Sequence, residues 1–433
     1  MNNKRLYACY WLIGLSTQTW AQSNIPDDPF TNIQQNSPAQ YEHKTTIQTY
    51  LQTNKINNKQ SFNPGLVAFT QNKQSAVLDW QVKTHWQSNF QGRARTIAQY
   101  QHTDIQKNTD IPSNADTSNN LDTTVLEAYL NWTSNDYAWQ WQLGRIKTQW
   151  STGFNWNLTN LLKPYRDRPY IDLDDPKQQK GWDMATVKYS QNNWFYHLVI
   201  ADSVTANKKN KQQYIARLGF QGSHDFVFLL HKQPEQSLNY AASFNRLLTD
   251  EITMRFEWSL LQQREQKTQA LLGENESTQW QKYLVGAGYT LDSGHDFRIE
   301  YLNTKHGFTN DEWTKISNKS STAYQNIINN QPREQDHAYL FSALNSLNLG
   351  QLRQNYLYFM YASPLSTDLW QYRQSIQLNL NDNSELHRLE LLKSWNNHLT
   401  SRLQLEFFNG CRHCEYGLNP NLHSMRLVFN WAF

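Results

Sequence analysis

Ile252-Thr253-Met254-Arg255-Phe256-Glu257-Trp258-Ser259-Leu260 reads as a strand with two unlike faces. Ile, Met, Phe, Trp and Leu fall on one side, and Thr, Arg, Glu and Ser on the other. Side chains of a strand alternate between its faces, so one surface is apolar and the other is polar or charged. The same alternation recurs. Leu399, Leu403, Leu405 and Phe407 oppose Thr400, Arg402, Gln404 and Glu406. Ala76, Leu78, Trp80, Val82 and Trp86 oppose Asp79, Gln81, Lys83 and His85. Tyr214, Ala216, Leu218 and Phe220 oppose Arg217 and Gln221, and Met425 to Phe433 closes the chain in the same period.

Two architectures bury such faces. In a soluble sandwich the apolar side is the core; in a transmembrane barrel it meets lipid and the polar side encloses water. Segment length favours the barrel. Many runs reach about nine to eleven residues, the length of a tilted strand crossing the hydrocarbon layer, whereas soluble strands more often have about five or six. The connections sort by length as well. Tight turns at 134–136, 191–193, 223–224, 249–250, 292–295, 365–368 and 396–398 alternate with long polar stretches near 106–121, 151–180, 204–211, 265–278, 307–336 and 409–423. Long loops on one rim and short turns on the other are a barrel habit that a sandwich has no reason to share.

The expected fold is therefore all-β: a transmembrane antiparallel barrel of about 18 strands over 44–433, with long extracellular loops and short periplasmic turns. Sixteen strands is the alternative, because 44–70 is weakly patterned and 337–351 has helical spacing. Met1 to Ala21 reads as a secretory signal peptide, with Lys4 and Arg5 ahead of the apolar run Leu6 to Leu15. Residues 22–43 read as a periplasmic arm or a lumenal segment.

Composition agrees. Among 433 residues, 18% are charged and 14% aromatic, and 40 Lys+Arg stand against 37 Asp+Glu. Mean hydropathy is -0.79, and no run approaches the roughly 18–20 apolar residues of a membrane helix. The small net charge of +3 offers nothing to nucleic acid. No Gly-x-Ser-x-Gly, Ser/His/Asp grouping or phosphate-binding glycine loop occurs, so neither an enzyme nor a cofactor is expected.

Function is read from the wet face. Its cations are Lys83, Arg93, Arg95, Lys188, Arg217, Arg255, Arg298, Arg373, Arg388, Arg402 and Arg426. Its anions are Asp79, Glu127, Glu257, Glu300, Glu390 and Glu406. Eleven against six leaves a surplus of five positive charges, which predicts weak anion preference or passage of acidic solutes. The opposing reading pairs neighbours, such as Arg255 with Glu257 and Arg402 with Glu406. The 151–180 stretch, with Phe154, Trp156, Arg166, Asp167, Asp172 and Asp174, is too aromatic for a tether and is expected to fold into the lumen as a constriction. Cys411 and Cys414, in the last long loop, are expected to form a disulfide, the alternative being a metal site that also uses His413. The expected partners are outer-membrane lipid and lipopolysaccharide, a small unidentified solute, and the barrel-insertion machinery reading the Phe429, Trp431, Phe433 strand. The main alternative is a closed structural barrel working through its outer loops.

Gly144-Arg145, then Trp150 five residues after that Arg, Gly153-Phe154-Asn155 and a Pro/Asp-rich stretch before the next strand form one block. Over Gly144 to Met184, together with the C-terminal strand, the chain resembles Gram-negative outer-membrane porin-like barrels. More distantly it is similar to large single-chain channels of the alginate-export type. Trp150-Ser151-Thr152-Gly153 departs from the Trp-Gly-x-Gly form of that group. The resemblance implies a channel-like barrel and no particular substrate.

Overall fold

The structure, a computed structural model, describes residues 40–56, 68–87, 89–107, 116–148, 150–162, 180–202, 212–233, 238–262, 271–272, 279–347, 351–364 and 369–433. The segments read as signal peptide (1–21) and most of the arm (22–39) lie outside these, as do Arg166, Asp167, Asp172 and Asp174.

Eighteen antiparallel strands form one closed sheet. They are β1 (Gln40–Ile56), β2 (Ala68–Gln87), β3 (Phe90–Lys107), β4 (Asp116–Thr133), β5 (Trp139–Ile146) and β6 (Trp182–Gln191). There follow β7 (Trp194–Asp202), β8 (Gln212–Gln221), β9 (His224–Lys232), β10 (Asn239–Leu247), β11 (Ile252–Leu261) and β12 (Trp280–Thr290). The last six are β13 (Asp296–Thr304), β14 (Asn355–Ala362), β15 (Trp370–Asn379), β16 (Ser384–Ser394), β17 (Leu399–Asn409) and β18 (Asn421–Ala432). Each strand pairs with its sequence neighbour, and β1 pairs with β18 in the register Thr46↔Ala432. The Phe433 N–H donates to the Thr45 carbonyl at 2.8 Å at this seam. Every strand has a partner on both sides, as lipid requires.

The outer face carries exposed apolar side chains: Trp139, Trp141 and Leu143 on β5, and Trp194, Tyr196, Leu198 and Ile200 on β7. Aromatic pairs ring the short-turn rim. Trp139–Tyr189 centroids are 4.7 Å apart, Trp194–Phe220 5.3 Å and Phe297–Tyr361 5.2 Å. These are the amphipathic rings that sit at headgroup level. At the β6–β7 turn, Asn192 and Asn193 both take positive φ, 51° and 67°. That is the backbone a two-residue hairpin needs to match strand twist.

Three boundaries differ from the sequence reading. Residues 40–43, read as arm, are the start of β1. Strands β1 to β4 run 17, 20, 18 and 18 residues, against 8 to 12 elsewhere. Near the long-loop rim their faces both turn polar (Gln52 and Thr53, Asn72 and Lys73, Gln101 and His102), so the period-two signal fades where the hairpins continue. Lastly, the β13–β14 connection holds two helices, α1 (Asn310–Ile328) and α2 (Asp336–Leu347). The first begins in a capping box: Thr309 Oγ1 accepts from the Glu312 N–H at 3.2 Å, and the Glu312 carboxylate accepts from the Thr309 N–H at 2.8 Å. The β15–β16 connection, 380–383, is a tight turn on the long-loop rim.

Candidate functional site

The lumen is shaped by the start of the β5–β6 connection. Residues 150–162 turn inward and wrap their backbone around two buried carboxylates. Glu257, on the inner face of β11, is 0% exposed and so is Glu300 on β13. Glu257 Oε1 accepts from Ser151 Oγ at 2.6 Å, from the Thr152 N–H at 2.5 Å, from Thr152 Oγ1 at 3.0 Å and from the Gly153 N–H at 3.1 Å. Its Oε2 accepts from the N–H groups of Leu158 and Thr159 at 2.8 and 3.2 Å. Glu300 accepts from the N–H groups of Phe154 and, at 2.7 Å, Asn155. Backbone donors without a helix or sheet must find acceptors when buried, and here two side chains of the wall supply them.

The wall is hollowed to receive the loop. Between β11 and β13, the inner face of β12 carries Gly286 and Gly288. A Cβ on Gly288 would sit 3.0 Å from Phe154 Cζ, and one on Gly286 would sit 3.0 Å from Glu300 Cγ and 3.1 Å from Arg255 Cγ. The Phe154 ring lies under two guanidiniums, with the Arg255 and Arg298 centres 3.3 and 4.4 Å from its centroid. Trp156, 0% exposed, and Leu158 pack on Leu284, Leu302, Tyr356, Tyr358 and Met360 of β12 to β14. Leu162, Leu161 and Trp150 cover Met184, Val199, Ala201, Ile215, Leu229 and Ala241 of β6 to β10. Along β6–β14 the inner wall is thus partly apolar and covered by the loop.

The alternation puts the sequence-predicted charges on the inner face, but they do different jobs. Glu257 and Glu300 anchor the loop. Arg255 donates to the Thr152 carbonyl rather than pairing with Glu257. Arg298 bonds Asp296 at 2.7 Å. Arg217 lies 4.6 Å over the Trp150 ring and 3.1 Å from His197 Nδ1. On the opposite wall, Arg93–Glu127 (3.2 Å), Arg95–Asp79 (2.6 Å), Arg373–Glu390 (3.2 Å) and Arg388–Glu406 (2.5 Å) form ion pairs. Glu406 therefore pairs across to β16 and not with Arg402 on its own strand. Arg402 Nε is buried without a hydrogen-bond partner among the described residues. Arg426 donates to Gln52 at 3.3 Å, and Lys83 stands opposite Arg93 in the β2–β3 register. Cys411 and Cys414 are joined in a disulfide.

No family model matches the chain, and no curated protein matches it in sequence. Solved structures do. Acinetobacter baumannii OccAB4 aligns with a TM-score of 0.52 over 92% of this chain and 99% of its own, at 9% identity. OccAB1 of the same organism gives 0.53 over 91% and 96%, at 7% identity. Pseudomonas aeruginosa OccK11 (OpdR) gives 0.50 over 91% and 96%, at 8% identity. These neighbours are outer-membrane porins. The chain has the fold of such a porin. At these identities the likeness is one of architecture, and the solute must be argued from the lumen.

The inward turn of the aromatic segment was legible in its composition, but its anchors were not. A charge on a wet face reads as pore lining whether it faces water or a folded loop. The available signal lay in β12, where Leu284, Gly286 and Gly288 fall on one face of Leu284-Val285-Gly286-Ala287-Gly288. Glycines at alternate positions of a strand mark close approach by another segment.

Proposed function

We propose that the protein is a channel of the Gram-negative outer membrane that passes small solutes and favours acidic ones. The observation that carries this reading is the 150–162 loop lying against the β6–β14 wall. It leaves the remaining path beside β15–β18 and β1–β4. Side chains on that wall include Lys83, Arg93, Arg95, Arg373, Arg388, Arg402 and Arg426 against Asp79, Glu127, Glu390 and Glu406, seven cations to four anions. Lumenal charge of one sign attracts the opposite ion, most strongly where low-dielectric walls focus the field. Arg166, Asp167, Asp172 and Asp174 belong to the same connection as the anchored loop, and the reading assigns them to the constriction.

The long loops would face outward and the short turns the periplasm, with lipopolysaccharide around the long-loop rim and the Phe433 strand read by the insertion machinery. Reversal potentials of single channels in a salt gradient test the selectivity, and cation preference would overturn it. Liposome swelling with acidic and neutral sugars, amino acids and aromatic acids would narrow the solute. The packed helices at the long-loop rim favour one rival reading, a closed barrel working through its surface. A folded barrel that stays silent in planar bilayers would decide for that rival.

A further inference from the structure

The β13–β14 connection builds a small core of its own. Trp313 and Ile316 of α1 and Tyr339, Ala343 and Leu344 of α2 pack with Phe308 and Leu352 at the ends of the connection. The same cluster takes in Leu271 from the β11–β12 connection and Leu418 from the β17–β18 connection, and Ile56 at the end of β1 packs against it. Strands β1 and β11 stand eight places apart on a ring of eighteen, nearly opposite. An apolar cluster that joins the end of β1 to the connection leaving β11 gathers segments from nearly opposite sides of the rim. The helices are therefore a roof over part of the lumen.

One buried polar centre ties that roof to the rim. Glu415, in the β17–β18 connection, accepts from the Leu352 N–H at 3.0 Å, from Tyr356 Oη at 2.6 Å and from Asn379 Nδ2 at 2.7 Å. Its own N–H donates to Asp382 at 2.8 Å. Arg353, 2% exposed, reaches Asp382 at 3.5 Å, donates to the Phe308 carbonyl at 3.3 Å and to Asn310, and lies over the Trp313 ring. Trp313 Nε1 donates to the His413 carbonyl at 2.8 Å, within the turn closed by Cys411–Cys414. Helix, rim turn and last loop thus share a single buried knot.

We propose that the α1–α2 roof is a lid over the channel mouth, latched shut by Glu415 together with Arg353 and Asp382. The proposal rests on the channel reading above. The charged and titratable groups facing Glu415 are Arg353 from the α2–β14 link, Tyr356 of β14, Asp382 of the β15–β16 turn and Tyr416 of its own loop. Two carboxylates share one guanidinium, so full ionisation leaves a buried negative charge in excess. Burial, with the nearby Asp382 carboxylate adding to it, pushes the Glu415 carboxyl up from 4.5 to about 7. A carboxyl whose affinity for a proton is raised in the closed state stabilises that state below its ordinary range and loses this as pH rises through the shifted value. The ratio of closed to open mouths accordingly falls by up to about tenfold per pH unit between about 4.5 and about 7 and is flat above.

The experiment is single-channel recording of the full chain at about pH 5 and about pH 8, with heat-modifiable gel mobility confirming the folded barrel. The wild type should show long closures at the lower pH, with a closed-to-open ratio about a hundredfold smaller at the higher. Glu415→Gln carries no charge at either pH, so whatever closures its single acceptor oxygen sustains should be the same at both. Glu415→Ala, and a chain with 310–347 replaced by a short Gly-Ser linker, should stay open at both. Closures unchanged in Glu415→Ala and in the linker chain overturn the lid, and so does a wild type whose gating ignores pH. Absence of current from every folded variant, the linker chain included, overturns the channel reading itself.

Discussion

Replacing Glu257 by Gln tests the constriction directly. The carboxylate holds six donors, four on Oε1 and two on Oε2. An amide keeps one acceptor oxygen and turns two N–H donors toward donors already there. Whichever way it is placed, backbone donors are orphaned: the N–H of Thr152, with the Gly153 N–H left on Ser151 Oγ at 3.2 Å, or the N–H groups of both Leu158 and Thr159. A buried donor left without a partner costs about 1–3 kcal/mol, so the docked loop, losing one or two of them, is weakened by about 1–6 kcal/mol. That corresponds to about a 5-fold to 10⁴-fold loss in the ratio of docked to released loop. The barrel itself should survive, because its ladder does not involve this side chain. In planar bilayers the substitution should raise conductance and current noise, and in liposome swelling it should admit larger solutes. Unchanged conductance and size limit in a folded Glu257→Gln barrel would refute the argument that this carboxylate sets the pore's bore.

Other changes separate the two walls. Arg402→Gln with Arg426→Gln should move the reversal potential in a salt gradient toward zero. Arg255→Gln should leave it nearly in place, because that guanidinium is spent on the Thr152 carbonyl and the Phe154 ring. Gly153→Ala would set a Cβ 1.8 Å from the Trp156 carbonyl oxygen, so the loop should undock and conductance rise as in Glu257→Gln. Trp156→Ala empties a fully buried site, which typically costs about 3–5 kcal/mol, and the loss should appear as earlier proteolysis of the 150–162 segment. Cutting Cys411–Cys414 by paired alanines closes off only a tiny loop's worth of entropy, at most about 2 kcal/mol, so the heat-modified gel transition should shift little.

The strand set shows how far local physics reaches. Wherever a strand crosses lipid with water behind it, one face must be apolar and the other polar, and that constraint is written residue by residue, as in Ile252 to Leu260. Hence the eighteen strands, the turn at Asn192–Asn193 and the sorting of connections were all readable. The hairpins β1 to β4 ran past their expected ends because polar side chains on both faces, such as Gln101 and His102, are what a strand shows when both sides are wet. Such a stretch is indistinguishable from a loop by hydropathy. Helix α2 was readable from its Leu340 and Leu344 spacing. Helix α1 had a start signal in Thr309 and Glu312, but its few buried apolar residues leave little period to read.

Sequence by itself determined a closed barrel, its rims and which charges turn inward, since each follows from alternation along a single strand. Only the tertiary structure decided which inward charges meet water. Glu257 and Arg402 look alike in a strand pattern, yet one is wrapped by loop backbone from about a hundred residues earlier and the other stands on the wall the loop leaves uncovered. The same holds for Val199 and Ile215, whose inward apolar side chains make sense only beneath Leu161 and Leu162. Contacts between distant segments leave no period in a sequence, because the chain encodes the partners without encoding which of them will meet.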